Sequence, residues 1–177
     1  MRRLVAVFAV ALMCCLLCAP AVAHADESNI YAPFDSFSEL HDAYIVAVED
    51  GDEDTIAWLE DIGRSSLRAE IEASETAPQP RPYVRDYFDY AEFRGSSVSN
   101  ANLAMMPKGN YKYAWSDVDK LNGWNTIYFN FSNDYRWANT STMKEQFYCH
   151  ARLVYSVIAG EWNLEPWRTS MNPFTCN

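Results

Sequence analysis

Three short runs of residues decide how the C-terminal part of this chain folds: Gln146–His150 (QFYCH), Trp162–Arg168 (WNLEPWR) and Cys176–Asn177. The first run falls on a helix that is predicted to begin near Ser141, because apolar residues recur there at helical spacing. In the second run, a proline restricts the preceding glutamate to an extended conformation. The first and third runs each hold one cysteine, so a covalent link between them would close this segment.

The N-terminus has the pattern of a secretory signal peptide. Residues 1–3 (MRR) are basic, residues 4–22 are apolar, and Ala-His-Ala offers a cleavage site after Ala25. We therefore expect a secreted, extracellular protein with no membrane span in the mature chain; the alternative is an uncleaved membrane anchor. Three of the five cysteines lie in this segment. The remaining two, Cys149 and Cys176, are expected to form one disulfide in an exported chain.

Charge and aromatic residues divide the rest of the chain into two unlike parts. Residues 26–76 hold 15 acidic and two basic residues, whereas residues 77–177 hold nine acidic and ten basic ones. Twenty of the 26 aromatic residues follow residue 76. This aromatic content excludes a wholly disordered chain. The second part has no basic excess, which argues against a nucleic-acid partner.

The acidic segment, residues 26–76, is predicted to form a helical hairpin. Ser36 and Glu39 make a capping-box pattern at the start of its first helix, and Gly51 favours the left-handed conformation that ends that helix. Apolar residues recur at helical spacing on both sides of this glycine. The acidic face either keeps the protein soluble or binds cations or a basic partner.

A proline-rich linker and aromatic arm, residues 77–92, lead into a C-terminal domain at residues 93–177. The arm is either an edge strand or a segment that lies on this domain. Residues 154–159 are compatible with either a helix or a strand. The other predicted elements are a strand at 98–106, a helix at 111–121, a turn at Asn122-Gly123, a strand at 126–131 and the helix from Ser141. The sequence therefore predicts an α+β fold, a small disulfide-stapled C-terminal domain preceded by an acidic helical hairpin.

The three runs resemble a family of secreted bacterial proteins known as domain of unknown function twenty-five ninety-nine. The hallmark of that family is Q-F-x-C-H, followed by W-N-L-E-P-W-R-P and by C-N-P. This chain departs from it at Thr169, where the family has proline, and stops at Asn177. The resemblance covers about residues 93–177 and leaves the acidic hairpin outside. It implies a secreted domain and brings no established activity.

His150 and Glu165 are the candidates for a general acid and base. Histidine titrates in the range that proton transfer needs, and a carboxylate between two tryptophans is a candidate proton donor. The alternatives are a histidine hydrogen-bonded under the aromatic core and a structural ion pair of Glu165 with Arg168. Cys149 beside His150 suggests a nucleophile and its base, but adjacent helical residues point about 100° apart. We therefore favour a disulfide between Cys149 and Cys176.

The candidate binding residues lie in the same runs: Gln146, Trp162, Asn163, Trp167 and Arg168. Tryptophan offers a ring face that can stack on a sugar, and arginine pairs with anionic groups. The alternative is that the bulky residues fill the core of a small domain. For the tryptophans as a set, we expect one or two to be exposed.

Two functions of different classes fit these residues. The first is a non-catalytic extracellular binding or interaction module for a glycan, a peptide or another protein. The second is a small secreted hydrolase, in which His150 and Glu165 act as acid and base while Arg168 holds an anionic group. Catalysis would require these three side chains to converge in one cleft. No metal or cofactor is predicted, because histidines are few and no glycine-rich phosphate loop is present.

Overall fold

The computed structural model describes residues 29–74, 83–109, 111, 115–152 and 160–177. Its helices are α1 (Phe37–Asp50), α2 (Glu53–Ser74), α3 (Val84–Tyr87), α4 (Asp117–Phe131) and α5 (Thr140–Arg152). Its strands are β1 (Phe88–Arg94), β2 (Asn102–Pro107) and β3 (Trp162–Leu164), with a 3₁₀ turn at Val98–Asn100. The predicted α+β fold is confirmed. The predicted signal peptide, the prolines of the linker and the segment 154–159 lie outside the described residues.

The two helices predicted for the acidic segment are both present, as α1 and α2. The Ser36 hydroxyl accepts a hydrogen bond from the Glu39 backbone N–H at 3.3 Å, and Gly51 ends α1 with a φ of 68°. The Glu39 carboxylate accepts from the backbone N–H of Asp35 at 2.8 Å, one residue earlier than a capping box requires. A side-chain cap therefore sets the first end of α1, and the left-handed backbone of a glycine sets the second.

The three strands form one antiparallel sheet in the order β1-β2-β3. Leu103 of β2 lies opposite Leu164 of β3, and Met105 lies opposite Trp162. All four residues are buried in the main core, because alternate residues of a strand share one face of the sheet. The aromatic arm contributes α3 and the edge strand β1, so the interpretation as an edge strand is confirmed for residues 88–94.

The strand predicted at 126–131 is wrong, because α4 runs through these residues. The helix buries Trp124 and Ile127 in the main core, one turn apart. The Ser116 hydroxyl starts it by accepting from the Asp119 N–H at 3.1 Å. Burial of one helical face and a strong N-cap outweigh the β propensity of the aromatic and β-branched residues.

The turn predicted at Asn122-Gly123 is also wrong, since both residues lie inside α4. A Cβ at Gly123 would lie 2.5 Å from Trp115 Cζ3, so this glycine serves the close approach of the Trp115 ring. The helix predicted at 111–121 begins only at Asp117. The strand predicted at 98–106 is β2, which starts later because residues 98–100 form the 3₁₀ turn.

The residues that follow β3 include a tail, residues 171–176, which lies between the hairpin and α5. The predicted disulfide is present and joins Cys149 of α5 to Cys176 of the tail. In the same tail, Phe174 stacks on Tyr44 of α1 with 4.1 Å between ring centroids. The tail therefore connects the acidic hairpin to the C-terminal helices.

A buried ionic cluster makes a second connection between these parts. Arg152 Nη1 lies 3.5 Å from Glu70 Oε1, and Lys120 Nζ lies 3.7 Å from Glu70 Oε2. The Tyr31 hydroxyl donates to Glu70 at 2.6 Å, and burial beside this carboxylate raises the pKa of Tyr31 well above its ordinary value. One acidic side chain of α2 thus holds two cations of the C-terminal helices.

Candidate functional site

His150 lies on the side of α5 that faces β3. Its ring stacks on Trp162 with 5.5 Å between centroids and 13° between planes, and Trp162 is only 2% exposed. Burial lowers the pKa of His150 to about 4, although a hydrogen bond to the Asn163 backbone opposes the shift. The imidazole is therefore neutral at pH 7, and its main contacts are with the core.

Glu165 and Arg168 form an ion pair in the turn that follows β3. Arg168 Nε donates to Glu165 Oε2, and the guanidinium lies 4.5 Å from the centroid of the Trp167 ring. Trp167 is 42% exposed. This ion pair matches the structural alternative considered for Glu165, and it leaves the Trp167 ring at the protein surface.

Gln146 holds this turn against α5. Its side chain is fully buried, and its Oε1 accepts a hydrogen bond from the Glu165 backbone N–H at 2.9 Å. Asn139 Nδ2 donates to the backbone carbonyl of Pro166 at 2.7 Å. A buried glutamine and a surface asparagine thus fix the backbone at Glu165 and Pro166, where the turn that carries the Glu165–Arg168 pair begins. Gln146 thus helps to fix the position of the turn that carries Glu165 and Arg168.

Asn163 lies in β3, before the turn that carries Glu165 and Arg168. It is opposite Ala104 in the sheet, and its side chain hydrogen-bonds to Glu161. Arg94 binds the same carboxylate with two nitrogens, each 2.8 Å from a Glu161 oxygen. Hydrogen bonds from Tyr90, then Arg94 and Asn163, hold the pKa of Glu161 below its ordinary value. The Asn163 side chain therefore belongs to a polar patch on the sheet.

The predicted site residues fall into separate surroundings. His150 and Trp162 contact each other within the core, whereas Glu165 and Arg168 contact each other at the surface beside Trp167. Of the two tryptophans in WNLEPWR, Trp167 is the exposed one, and Trp162 is a core residue. The surface turn is the part of the predicted set that a ligand can reach.

Two further aromatic residues, one on α4 and one just before α5, are also at least partly exposed, and the predicted strand at 126–131 concealed one of them. Tyr128 on α4 is 46% exposed and lies 5.8 Å from the half-buried Trp137, centroid to centroid. Trp137 Nε1 donates to Thr140 Oγ1 at 2.9 Å. Thr140 follows Asn139, which holds the turn before Trp167. We call Tyr128, Trp137 and Trp167 the aromatic surface.

In the described parts of the chain, no group of three histidine, cysteine or acidic side chains is arranged to hold a metal ion. No described helix combines the length and the apolar character needed to cross a bilayer.

By its fold, the C-terminal part is an α+β domain that is closed by a disulfide. Its WNLEPWR turn presents a tryptophan and an ion pair to solvent. Residues 92–176, just under half of the chain, match the family model described as "Protein of unknown function (DUF2599)". The resemblance seen in the sequence is thereby confirmed. No curated protein and no solved structure matches the chain.

Proposed function

We propose that the protein is a secreted, non-catalytic binding module whose aromatic surface binds an extracellular glycan. The observation that carries this proposal is the exposed Trp167 ring, held beside the Glu165–Arg168 ion pair by Gln146 and Asn139. Arg168 lies over one face of this ring, and exposed aromatic rings held by their neighbours are surfaces on which sugars can stack. The neighbouring charged groups supply donors and acceptors for hydroxyls.

The number of exposed or partly exposed aromatic residues supports a ligand longer than one sugar. Trp137 and Trp167 are fixed through the neighbouring residues Asn139 and Thr140, at the same end of α5. Tyr128 continues the surface along α4. Several accessible rings would favour an extended chain of sugars over a peptide, since each ring offers a flat apolar face with a polar edge.

The contacts of the candidate catalytic residues favour binding over hydrolysis. The Glu165 carboxylate is engaged by Arg168, so donating a proton to a substrate would first require breaking this pair. His150 is stacked on a core tryptophan. A glycosidase also needs a second carboxylate placed across the scissile bond. A hydrolase that uses His150 and Glu165 therefore remains the less favoured function.

Glycan binding by the mature chain and two variants tests this proposal. Isothermal titration with soluble peptidoglycan fragments and β-linked oligosaccharides measures affinity for the chain without residues 1–25. Trp167→Ala should weaken binding at least tenfold, or by about 1.4 kcal/mol, because a stacked aromatic residue dominates such a contact. Trp58→Ala is the matched control, since Trp58 is 50% exposed but lies on the hairpin. Equal affinity of the two variants would refute the proposal.

A further inference from the structure

The tail occupies one side of the helical hairpin. Phe174 stacks on Tyr44 of α1 and lies 6.0 Å from the His41 ring, centroid to centroid. On α2, a Cβ at Gly63 would lie 2.9 Å from Pro173, so this helix also faces the tail. The opposite side of the hairpin is directed away from the C-terminal part.

That opposite side, here called the outer face, has an apolar centre. Val46 follows His41 by five positions, which places it about 140° around α1 from the tail. It is 57% exposed. On α2, Trp58 is half exposed, and its ring lies 5.9 Å from that of Phe34 at the start of the hairpin. Large apolar side chains on both helices are thus open to solvent.

Carboxylates border this apolar centre on both helices. Asp50 lies four positions after Val46, one turn further along α1. Asp54 and Asp61 lie four positions before and three positions after Trp58, on the same side of α2. All three aspartates are exposed. Each helix therefore presents an apolar side chain with an acid about one turn away.

The two basic residues of the hairpin do not offset this charge at the outer face. Arg64 Nη1 donates to the Met171 carbonyl in the tail at 3.0 Å. Arg68 Nε lies 3.0 Å from Glu145 on α5. Both therefore point to the C-terminal part. The outer face therefore combines an apolar centre with the exposed carboxylates of Asp50, Asp54 and Asp61.

We propose that the outer face docks a cationic amphipathic helix of a partner protein. Such a helix would bury its apolar side on Val46 and Trp58, while its lysines or arginines would meet Asp50, Asp54 and Asp61. The charge disfavours several other occupants. A nucleic acid, an anionic lipid surface and the acidic hairpin of a second copy would each bring negative charge against negative charge. This interaction is independent of glycan binding.

A synthetic helix provides the probe. The peptide has about 18 residues, or five turns, with leucine on one side and lysine on the other. In one analogue glutamine replaces lysine, and in a second glutamate replaces it. Titration with the mature chain should give binding for the lysine peptide, at least tenfold weaker binding for the glutamine analogue and none for the glutamate analogue. Raising the salt from about 0.05 M to about 0.5 M should weaken the lysine complex.

Matched variants separate a defined face from general attraction between opposite charges. Trp58→Ala should weaken the lysine peptide at least tenfold, whereas Trp167→Ala should leave its affinity unchanged. Asp54→Asn with Asp61→Asn should weaken it, whereas Asp89→Asn with Asp117→Asn, which removes the same charge elsewhere, should weaken it less. Circular dichroism checks that each variant is folded.

Three results would overturn the proposal. One is absence of binding by the lysine peptide, and another is equal loss from the two pairs of charge variants. The third is a dimer of the mature chain that sedimentation detects and that Trp58→Ala dissociates. In that case the outer face would bind a second copy of the chain. Glycan binding depends on Trp167 and peptide binding on Trp58, so failure of one proposal leaves the other standing.

Discussion

Opening the Cys149–Cys176 disulfide should cost about 3–4 kcal/mol of unfolding free energy. The two cysteines are separated by 27 residues, and in the chain-entropy model a loop of that size restricts the unfolded chain by this amount. Both cysteines are almost fully buried, so substituted side chains would also leave space in the core. The disulfide is thus expected to supply a large share of the stability of a domain of this size.

Urea unfolding of the oxidised mature chain and of the Cys149→Ala, Cys176→Ala double variant measures this cost. The variant should unfold at a lower urea concentration, with an increased slope because its unfolded state is less compact. Titration of free thiols confirms that the starting protein is oxidised. A loss below about 1 kcal/mol would refute the reasoning, because the disulfide would then contribute little to the free energy of unfolding.

Three further predictions concern the contacts that join the two parts of the chain. Phe174→Ala should lower the free energy of unfolding in urea by about 3 kcal/mol, because it removes the ring that stacks on α1. Phe129→Ala, at an exposed position, should lower it by less than about 0.5 kcal/mol. Similar losses in both variants would contradict the role of the tail in joining the hairpin to the C-terminal helices. Arg152→Met leaves the buried Glu70 without its closest cation and should cost about 3 kcal/mol, an effect that Glu70→Gln in the same chain should reduce. The pKa of His150 in the folded protein lies below its ordinary value, so unfolding takes up a proton between about pH 6.5 and pH 4. The free energy of unfolding should therefore fall as the pH falls through this window, and His150→Gln should flatten that dependence. An unchanged pH profile in that variant would show that the histidine is not desolvated.

The hairpin could be predicted from the sequence because its ends depend on local chemistry. The Ser36 hydroxyl and the left-handed Gly51 act on residues only a few positions away, and both were recognisable as patterns. The disulfide was predictable for a different reason, since only two cysteines lie outside the predicted signal peptide and they leave one pairing.

Helix α4 could not be predicted in the same way. Residues 126–131 are aromatic and β-branched, which favours a strand when they are considered alone. Their conformation is decided by distant partners, because Trp124 packs against Phe147 of α5 and Gly123 accommodates the Trp115 ring. Mistaking this helix for a strand hid Tyr128, which lies on the aromatic surface.

The residue types of the candidate site could be predicted, but the division of these residues between the core and the surface could not. WNLEPWR contains two tryptophans five positions apart, and nothing local indicates that Trp162 is buried in β3 while Trp167 is exposed in the following turn. The same holds for His150, whose neighbour in space is a core tryptophan. Burial depends on how β3 packs against α5, which spacing along the chain does not encode.

The most direct test of the proposed function is the affinity of the mature chain for soluble peptidoglycan fragments and β-linked oligosaccharides, measured beside Trp167→Ala and Trp58→Ala. We expect at least one of these glycans to bind, with an affinity that Trp167→Ala reduces at least tenfold and Trp58→Ala leaves unchanged. Binding that survives Trp167→Ala unaltered would contradict the assignment of the aromatic surface as the glycan-binding site.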